Sequence, residues 1–446
     1  MDFTTLLAFR VGLYACFKQA GDALMNASDA LLTGSSKDTF IQLSQSPFFQ
    51  RRWPSLYEAF QDGKIDHKAL VTLLIGFAPP PTPQRRFILA LDCSKVERPE
   101  SVTARDRTYV HLDNLPECKA PVAPGWTFST VVVTPQKNSS WTYVLDNQRV
   151  TSDQTPANVA AEQLKAIVPQ LNERFSGQLP GGRILLTADS GYGTATFLEQ
   201  TKKIECDMLL RMKSNRKLYR AAPAPVPHKR GPHHKDGPVF RCKDACTHGE
   251  PDDTWTGMDE KGKVIEIACW EKLHFKECRD TPVCVIRIIR HGANQTKRDP
   301  RTSWFIWKGE GPPCLGSVVE EYKSRFSIEH GYRFEKQDLH WCKPHLRTPE
   351  QFEIWTLLMS VVHDELGIAR NLAEAQRLPW ESPGRELTPA QVRRGMGQIL
   401  VQVGTPACPC KCRGLSAPGR EKGAIVKRAE RYPVIKKMKE TKKKAA

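Results

Sequence analysis

The chain has 446 residues, 40% of them hydrophobic, and a formal net charge of +17. That length allows two to four domains around a packed core, and the charge favours a polyanionic partner through Coulomb attraction and counterion release. The longest apolar run in the first hundred residues, near Leu70 to Ala78, is broken by Thr72, and MDFTTLLAFR lacks the basic start and cleavage site of a secretory signal; we therefore expect a soluble, intracellular protein with no membrane span.

Residues 1–83 read as helices. LLAFRVGLYACFKQAGDALMNASDALL and HKALVTLLIGFA repeat apolar residues every three or four positions, and APPPTP stops the pattern. From 84 to 211 the pattern alternates between strands and helices. An apolar run over 87–91 ends at Asp92, TFSTVVVTP and SWTYVLDNQRV read as two more strands, and 156–174 is a helix. A further buried strand over 184–187 is closed by Asp189, a helix opens near Thr194, and CDMLLRM is the last strand. An acid directly after an apolar strand sits at the edge of a sheet. The plain alternatives are a turn opened by Asp92 and a helix cap at Asp189. Glu97, Glu100 and Asp106 stand nearby, but none directly follows a buried strand. The tetrapeptide GYGT at 191–194 lacks the ending and glycine spacing of a phosphate loop.

Residues 212–311 carry strand-like runs, VIEIACW, VCVIRII and SWFIWK. Before them, APAPVPHKRGPHHKDG, with His228, His233 and His234, reads as a flexible basic connection or a DNA-facing loop, not a binding pocket. Cys242, Cys246 and His248, and the triplet Cys408, Cys410 and Cys412, have no clear fourth ligand for zinc. The scatter of the 14 cysteines suits reduced thiols better than a disulfide framework. Residues 312–380 return to helices, including one over 349–374. Residues 381–446 read as a basic, partly disordered tail: from 411 onward, 13 Lys or Arg against 3 Glu hold +10 of the net charge.

One helical segment, YKSRFSIEHGYRFEK, carries most of the chemistry. At about 100° per residue, Tyr322, Arg325, Glu329 and Lys336 share a face, so one acid stands among two cations and a phenol. The segment resembles the Tyr-Arg-Glu-Lys motif of the cut-and-paste DDE insertion-sequence transposases. The resemblance implies an α/β fold: a ribonuclease H-like catalytic core with a β-rich insertion, an N-terminal helical domain for transposon-end recognition and a basic C-terminal tail. It implies that Glu329 is the third of three metal-binding acids and that Asp92 and Asp189 are the first two. The run Asp189, Ser190, Gly191, Tyr192 matches the family's second-acid box, and Gly191 and Gly193 would let the chain turn tightly there. The acids lie 97 and 140 residues apart, and the second gap leaves room for the insertion.

On this resemblance, two Mg²⁺ (or Mn²⁺) ions serve cleavage at element ends and strand transfer into target DNA. Tyr322, Arg325 and Lys336 would contact the DNA backbone. Trp304 could stack on an unpaired base near the cut, against the plainer reading that it packs in the core. A homodimer pairing the two ends and a cytoplasmic, nucleoid-associated location are also expected. Two other classes stay open, a domesticated DNA-binding protein without catalysis and a ribonuclease H-like nuclease without strand transfer.

Overall fold

The computed structural model describes residues 2–34, 39–112, 121–135, 139–224, 234–260, 262–293, 300–410, 419, 423, 425 and 428–436. The first elements are α1 (Phe3–Cys16), β1 (Phe17–Gln19), α2 (Gly21–Thr33), α3 (Phe40–Leu43), α4 (Trp53–Asp62), β2 (Lys64–Ile65) and α5 (His67–Phe77). Side-chain caps fix where the helices start: Asp2, Thr39 and Asp66 each accept a backbone N–H of the first turn. The helices match the apolar spacing. The small antiparallel ribbon of β1 and β2 does not appear in that pattern, because strands of two and three residues carry no period.

The middle of the chain supplies β3 (Ile88–Glu97), β4 (Thr108–His111), β5 (Val122–Val133), β6 (Tyr143–Val150), α6 (Pro156–Arg174), β7 (Leu185–Ala188), α7 (Ala195–Thr201) and β8 (Asp207–Met212). It continues with β9 (Lys217–Tyr219), β10 (Val239–Arg241), β11 (Asp253–Met258), β12 (Val264–Phe275), β13 (Cys278–Arg290) and β14 (Thr302–Lys308). Twelve of these strands form one mixed sheet in the order β10-β9-β12-β13-β14-β8-β7-β3-β5-β4, with β11 on β12 and β6 on β5. β3 pairs antiparallel with β5 and parallel with β7, and β7 pairs parallel with β8. The strands expected as an insertion therefore continue the main sheet. Antiparallel pairing of β14 with β8 covers an edge that would otherwise expose unpaired backbone groups.

The two faces of β3 follow the period of two. Leu89 and Leu91 belong to the cluster that includes Leu164, Ile167 and Leu171 of α6. On the other face, Ala90 packs with Val132, Val144 and Ile328. Ile88 on that face joins Leu185, Leu209, Phe305 and Tyr322. Asp92 has the parity of Ile88 and Ala90, so it faces the helices that carry Tyr322 and Ile328.

Those helices are α8 (Val318–Lys323) and α9 (Ser327–Gln337), followed by α10 (Pro349–Ala369) and α11 (Pro389–Val403). A 3₁₀ turn, Ser324–Phe326, separates α8 from α9. The expected single helix is thus interrupted between Tyr322 and Glu329. Ser324 Oγ donates to the Glu321 carbonyl at 2.7 Å and Ser327 Oγ to the Ser324 carbonyl at 2.8 Å, and such back-bonding competes with the helical ladder.

The helices before residue 83 share one buried cluster with α10 and α11. Phe40 and Phe60 meet Trp355 of α10 with ring centroids 5.4 and 5.5 Å apart. Helix α11 lies within the segment expected as a tail. It opens on a capping box at Thr388 and Gln391, and Arg393 Nε donates to the Leu31 carbonyl at 2.8 Å. Farther on, Ile435 bridges Thr108 of β4 in parallel, and Arg107 Nη2 donates to the Tyr432 carbonyl at 3.0 Å. The last basic run, 437–446, lies outside the described residues. No helix among the described residues is long and apolar enough to cross a membrane.

Candidate active site

Parallel pairing brings two of the three acids together. β3 and β7 align as Ile88↔Leu185 through Leu91↔Ala188, so Asp92 and Asp189 each stand one step beyond the last aligned pair. Neighbouring strands lie about 4.8 Å apart, and two acids 97 residues apart in sequence become neighbours across them. β3 does not end at Asp92, as its apolar run suggested. It runs on to Glu97, with Asp92 opposite Thr130 of β5, because the antiparallel pairing with β5 outlasts the shorter β7.

Asp189 is not the helix cap. Thr194 caps α7 by accepting from Phe197 N, while Asp189 Oδ1 accepts from Gly191 N at 2.9 Å. Gly193 anchors this loop to the next strand. A Cβ there would lie 2.2 Å from the Arg211 carbonyl oxygen of β8, closer than real Cβ atoms come. Gly193→Ala should therefore displace the loop that carries Asp189, with a stability loss of about 1–3 kcal/mol by overpacking. Urea unfolding would measure the loss, and an unchanged midpoint would contradict this packing.

Glu329 sits in the first turn of α9, next to Ile328, which is fixed against Ala90, Val132 and Val144. Close approach of α9 to its neighbours depends on Gly331. A Cβ there would meet Thr142 Oγ1 at 2.7 Å and His363 Cε1 at 3.2 Å. Two bonds tie α9 to the main chain of β3: Tyr332 Oη donates to the Asp92 carbonyl at 3.2 Å, and Lys336 Nζ donates to the Lys95 carbonyl at 3.2 Å.

Arg325 stands between the acids. Its Nη1 donates to Asp92 Oδ2 at 3.0 Å and its Nη2 lies 3.6 Å from Glu329 Oε1. Burial pushes the Asp92 carboxyl up to about 6; the Arg325 charge opposes this, and the charges of Asp189 and Glu329 add to it. All three acids thus share one electrostatic neighbourhood. With Arg325 among them, no group of three His, Cys, Asp or Glu side chains among the described residues is gathered tightly enough to hold a metal ion.

The other expected DNA contacts turn inward. Tyr322 is 5% exposed and packs edge-on against Phe305, with centroids 4.7 Å apart. Lys336 is committed to the β3 backbone. Trp304 is 4% exposed and enclosed by Phe240, His248 and Trp270, which leaves it no open face on which to stack a base. The core alternative weighed for that tryptophan is the one its packing fits. His248 belongs to the same aromatic group, and its Nε2 pairs with the Arg241 carbonyl at 2.8 Å. His228, His233 and Cys412 lie outside the described residues, and the described cysteines are all free. Two residues of this site escaped the sequence reading, Tyr332 and Gly331. Their only signal was their place within one turn of Glu329.

Fold and site together define a mixed α/β protein with two acids just beyond a parallel strand pair and a third in the first turn of a covering helix. The chain matches the sequence profile of the DDE superfamily endonucleases over residues 12–273, more than half its length, and belongs to that family. The matched span contains Asp92 and Asp189 and stops short of Glu329. Comparison with curated proteins gives no match.

Proposed function

We propose that the protein is a DDE transposase that cuts DNA at the ends of an insertion sequence and joins the exposed 3′-hydroxyl to target DNA. The observation that carries this reading is the register of β3 and β7, which sets Asp92 beside Asp189 under the helix bearing Glu329. The strand set β6-β5-β3-β7-β8, antiparallel on one side of β3 and parallel on the other, supports a ribonuclease H-like core. Membership of the endonuclease family supports DNA as substrate.

Asp92, Asp189 and Glu329 would hold the ions. Carboxylate oxygens are hard donors suited to Mg²⁺ or Mn²⁺, and a guanidinium already lodged among these acids marks the cluster as one that takes positive charge. Bound ions would make a water or 3′-hydroxyl nucleophilic and stabilise the leaving oxygen. The protein's own part is positional. Tyr332 and Lys336 fix the β3 backbone at Asp92 and three residues beyond it, Gly193 holds the Asp189 loop to β8, and Ile328 sets the height of α9 above the sheet. Arg325, lodged between Asp92 and Glu329, keeps its positive charge close to any phosphate placed there. On the N-terminal helices, Trp53 and Tyr57 are 54% and 44% exposed. With Arg52 beside them, they suit contact with the transposon ends, and pairing of two ends in a homodimer follows from the same reading.

The test is incubation with a plasmid carrying the element's own terminal sequences, with Mg²⁺ or with chelator. Metal-dependent cuts at the ends, followed by joined products, are expected. Cuts without joining would replace the proposal with a nuclease, and binding without cuts would replace it with a DNA-binding protein.

A further inference from the structure

We infer that Arg325 is the built-in counter-ion of Asp92 and Glu329, and that divalent ions must displace its guanidinium to occupy the site. The inference rests on the catalytic reading of Asp92, Asp189 and Glu329 given above.

Both oxygens of Asp92 are already engaged. Oδ1 accepts from its neighbour Cys93 N at 2.8 Å and Oδ2 from Arg325 Nη1 at 3.0 Å. Glu329 presents Oε1 to the second terminal nitrogen of the same guanidinium. An ion shared by these two acids needs Oδ2 and Oε1, the two atoms Arg325 faces, and a divalent cation a few ångströms from a guanidinium is repelled by it. Among the described residues no ligand trio is gathered, and two of the three acids, Asp92 and Glu329, turn their oxygens to the arginine.

Arg325 is placed to move. It lies in the 3₁₀ turn between α8 and α9, where the helical ladder is already interrupted. It is 6% exposed, its Nε has no hydrogen-bond partner among the described residues, and away from the acids the guanidinium meets the rings of Tyr322 and Phe326. Its planar group lies 4.9 Å from the ring of Phe326, which is itself 44% exposed. That ring offers a surface on which the guanidinium can stay stacked while swinging toward solvent. Two arrangements result, one with arginine among the acids and one with ions there, and the ion-free protein binds metal more weakly than its three acids alone would.

Mn²⁺ binding to the full-length protein without DNA, read by electron paramagnetic resonance, tests this. Arg325→Gln should bind Mn²⁺ about tenfold more tightly than the wild type, within the usual range of coupling between sites. Arg325→Lys, which keeps the charge, should stay near the wild type, and Asp92→Asn should lose the site. If wild-type binding depends on Asp92 but Arg325→Gln binds no more tightly, the displacement idea is overturned and the catalytic reading survives. If no variant shows binding that depends on Asp92, the catalytic reading falls and this inference with it. Should Arg325→Gln not fold, the Nε–H resonance of Arg325 in the wild type, identified by its loss in Arg325→Lys, decides. It should shift on saturation with Mg²⁺, and a resonance that stays in place would overturn the displacement.

Discussion

Asp92→Asn should reduce Mg²⁺-dependent cleavage by more than roughly 100-fold, since loss of a partner that merely supports a ligand already costs about 10- to 100-fold. Asparagine keeps the shape of the side chain and can still accept from Cys93 N, but it brings no charge to an ion. Folding should survive, with a pH signature that identifies the residue. The carboxyl is held at about 6, above the roughly 3.9 of an unfolded chain, so the folded state binds an extra proton between those values. The stability linked to that proton is fully present below about pH 4 and is lost as pH rises through about 6. Asparagine does not titrate. The mutant should therefore gain on the wild type as pH rises from 4 to 7, which urea unfolding at both ends of the range would read. A gap that stays constant with pH would mean that Asp92 titrates normally and is not crowded by the other acids. Glu329→Gln should lose cleavage to a similar degree, since it too removes the charge of a carboxylate that faces Arg325.

How much of this could be read from the residues depends on the reach of each signal. Asp92 and Asp189 stood out because each follows an apolar strand, a local pattern. That they become neighbours was implied by the family resemblance alone, because parallel pairing joins segments far apart and leaves no mark in either. The strands after residue 212 were visible as β-branched runs, but not their attachment to β8, since a strand's pattern says which face is buried and not which edge it joins. Arg325 was expected to point at DNA. The helical wheel places it on the face of Glu329 correctly, yet a wheel has no term for an acid arriving from β3. In the last segment, Val392, Met396, Ile399 and Leu400 carry helical spacing, and Thr388 with Gln391 forms a cap. The basic composition around them concealed a packed helix. Whether the helices before residue 83 recognise DNA is beyond what apolar spacing can state, for spacing reports only the buried face.

Arg10→Ala should be the most destabilising single change in the N-terminal helices. Arg10 is fully buried on α1, with Nη2 2.5 Å from Asp29 Oδ1 on α2 and Nη1 paired with Glu365 Oε1 on α10. Burial opposes the charge of the guanidinium, but its two acidic partners hold it protonated; burial pushes both acids up, and Arg10 counters this in each. Removing the arginine leaves two carboxyls facing each other in the core with no cation, a loss of about 3–5 kcal/mol in comparable buried pairs. The triad itself is a different matter. Desolvating three charged groups costs so much that replacing the whole set with well-packed apolar residues is often neutral or stabilising by about 1–4 kcal/mol. The combined variant Arg10→Met, Asp29→Leu, Glu365→Leu should therefore recover most of the stability that Arg10→Ala loses, as judged by urea midpoints. If the triple variant, which refills the volume and leaves no unpaired carboxylate, is as unstable as the single one, the loss in Arg10→Ala comes from the ion pairs themselves and not from uncompensated charge. Recovery would assign the triad to the choice of partner. A buried cation on α1 that needs acids from both α2 and α10 penalises any docking of the first helix elsewhere, and α10 is also the helix whose His363 packs against Gly331, two residues past Glu329.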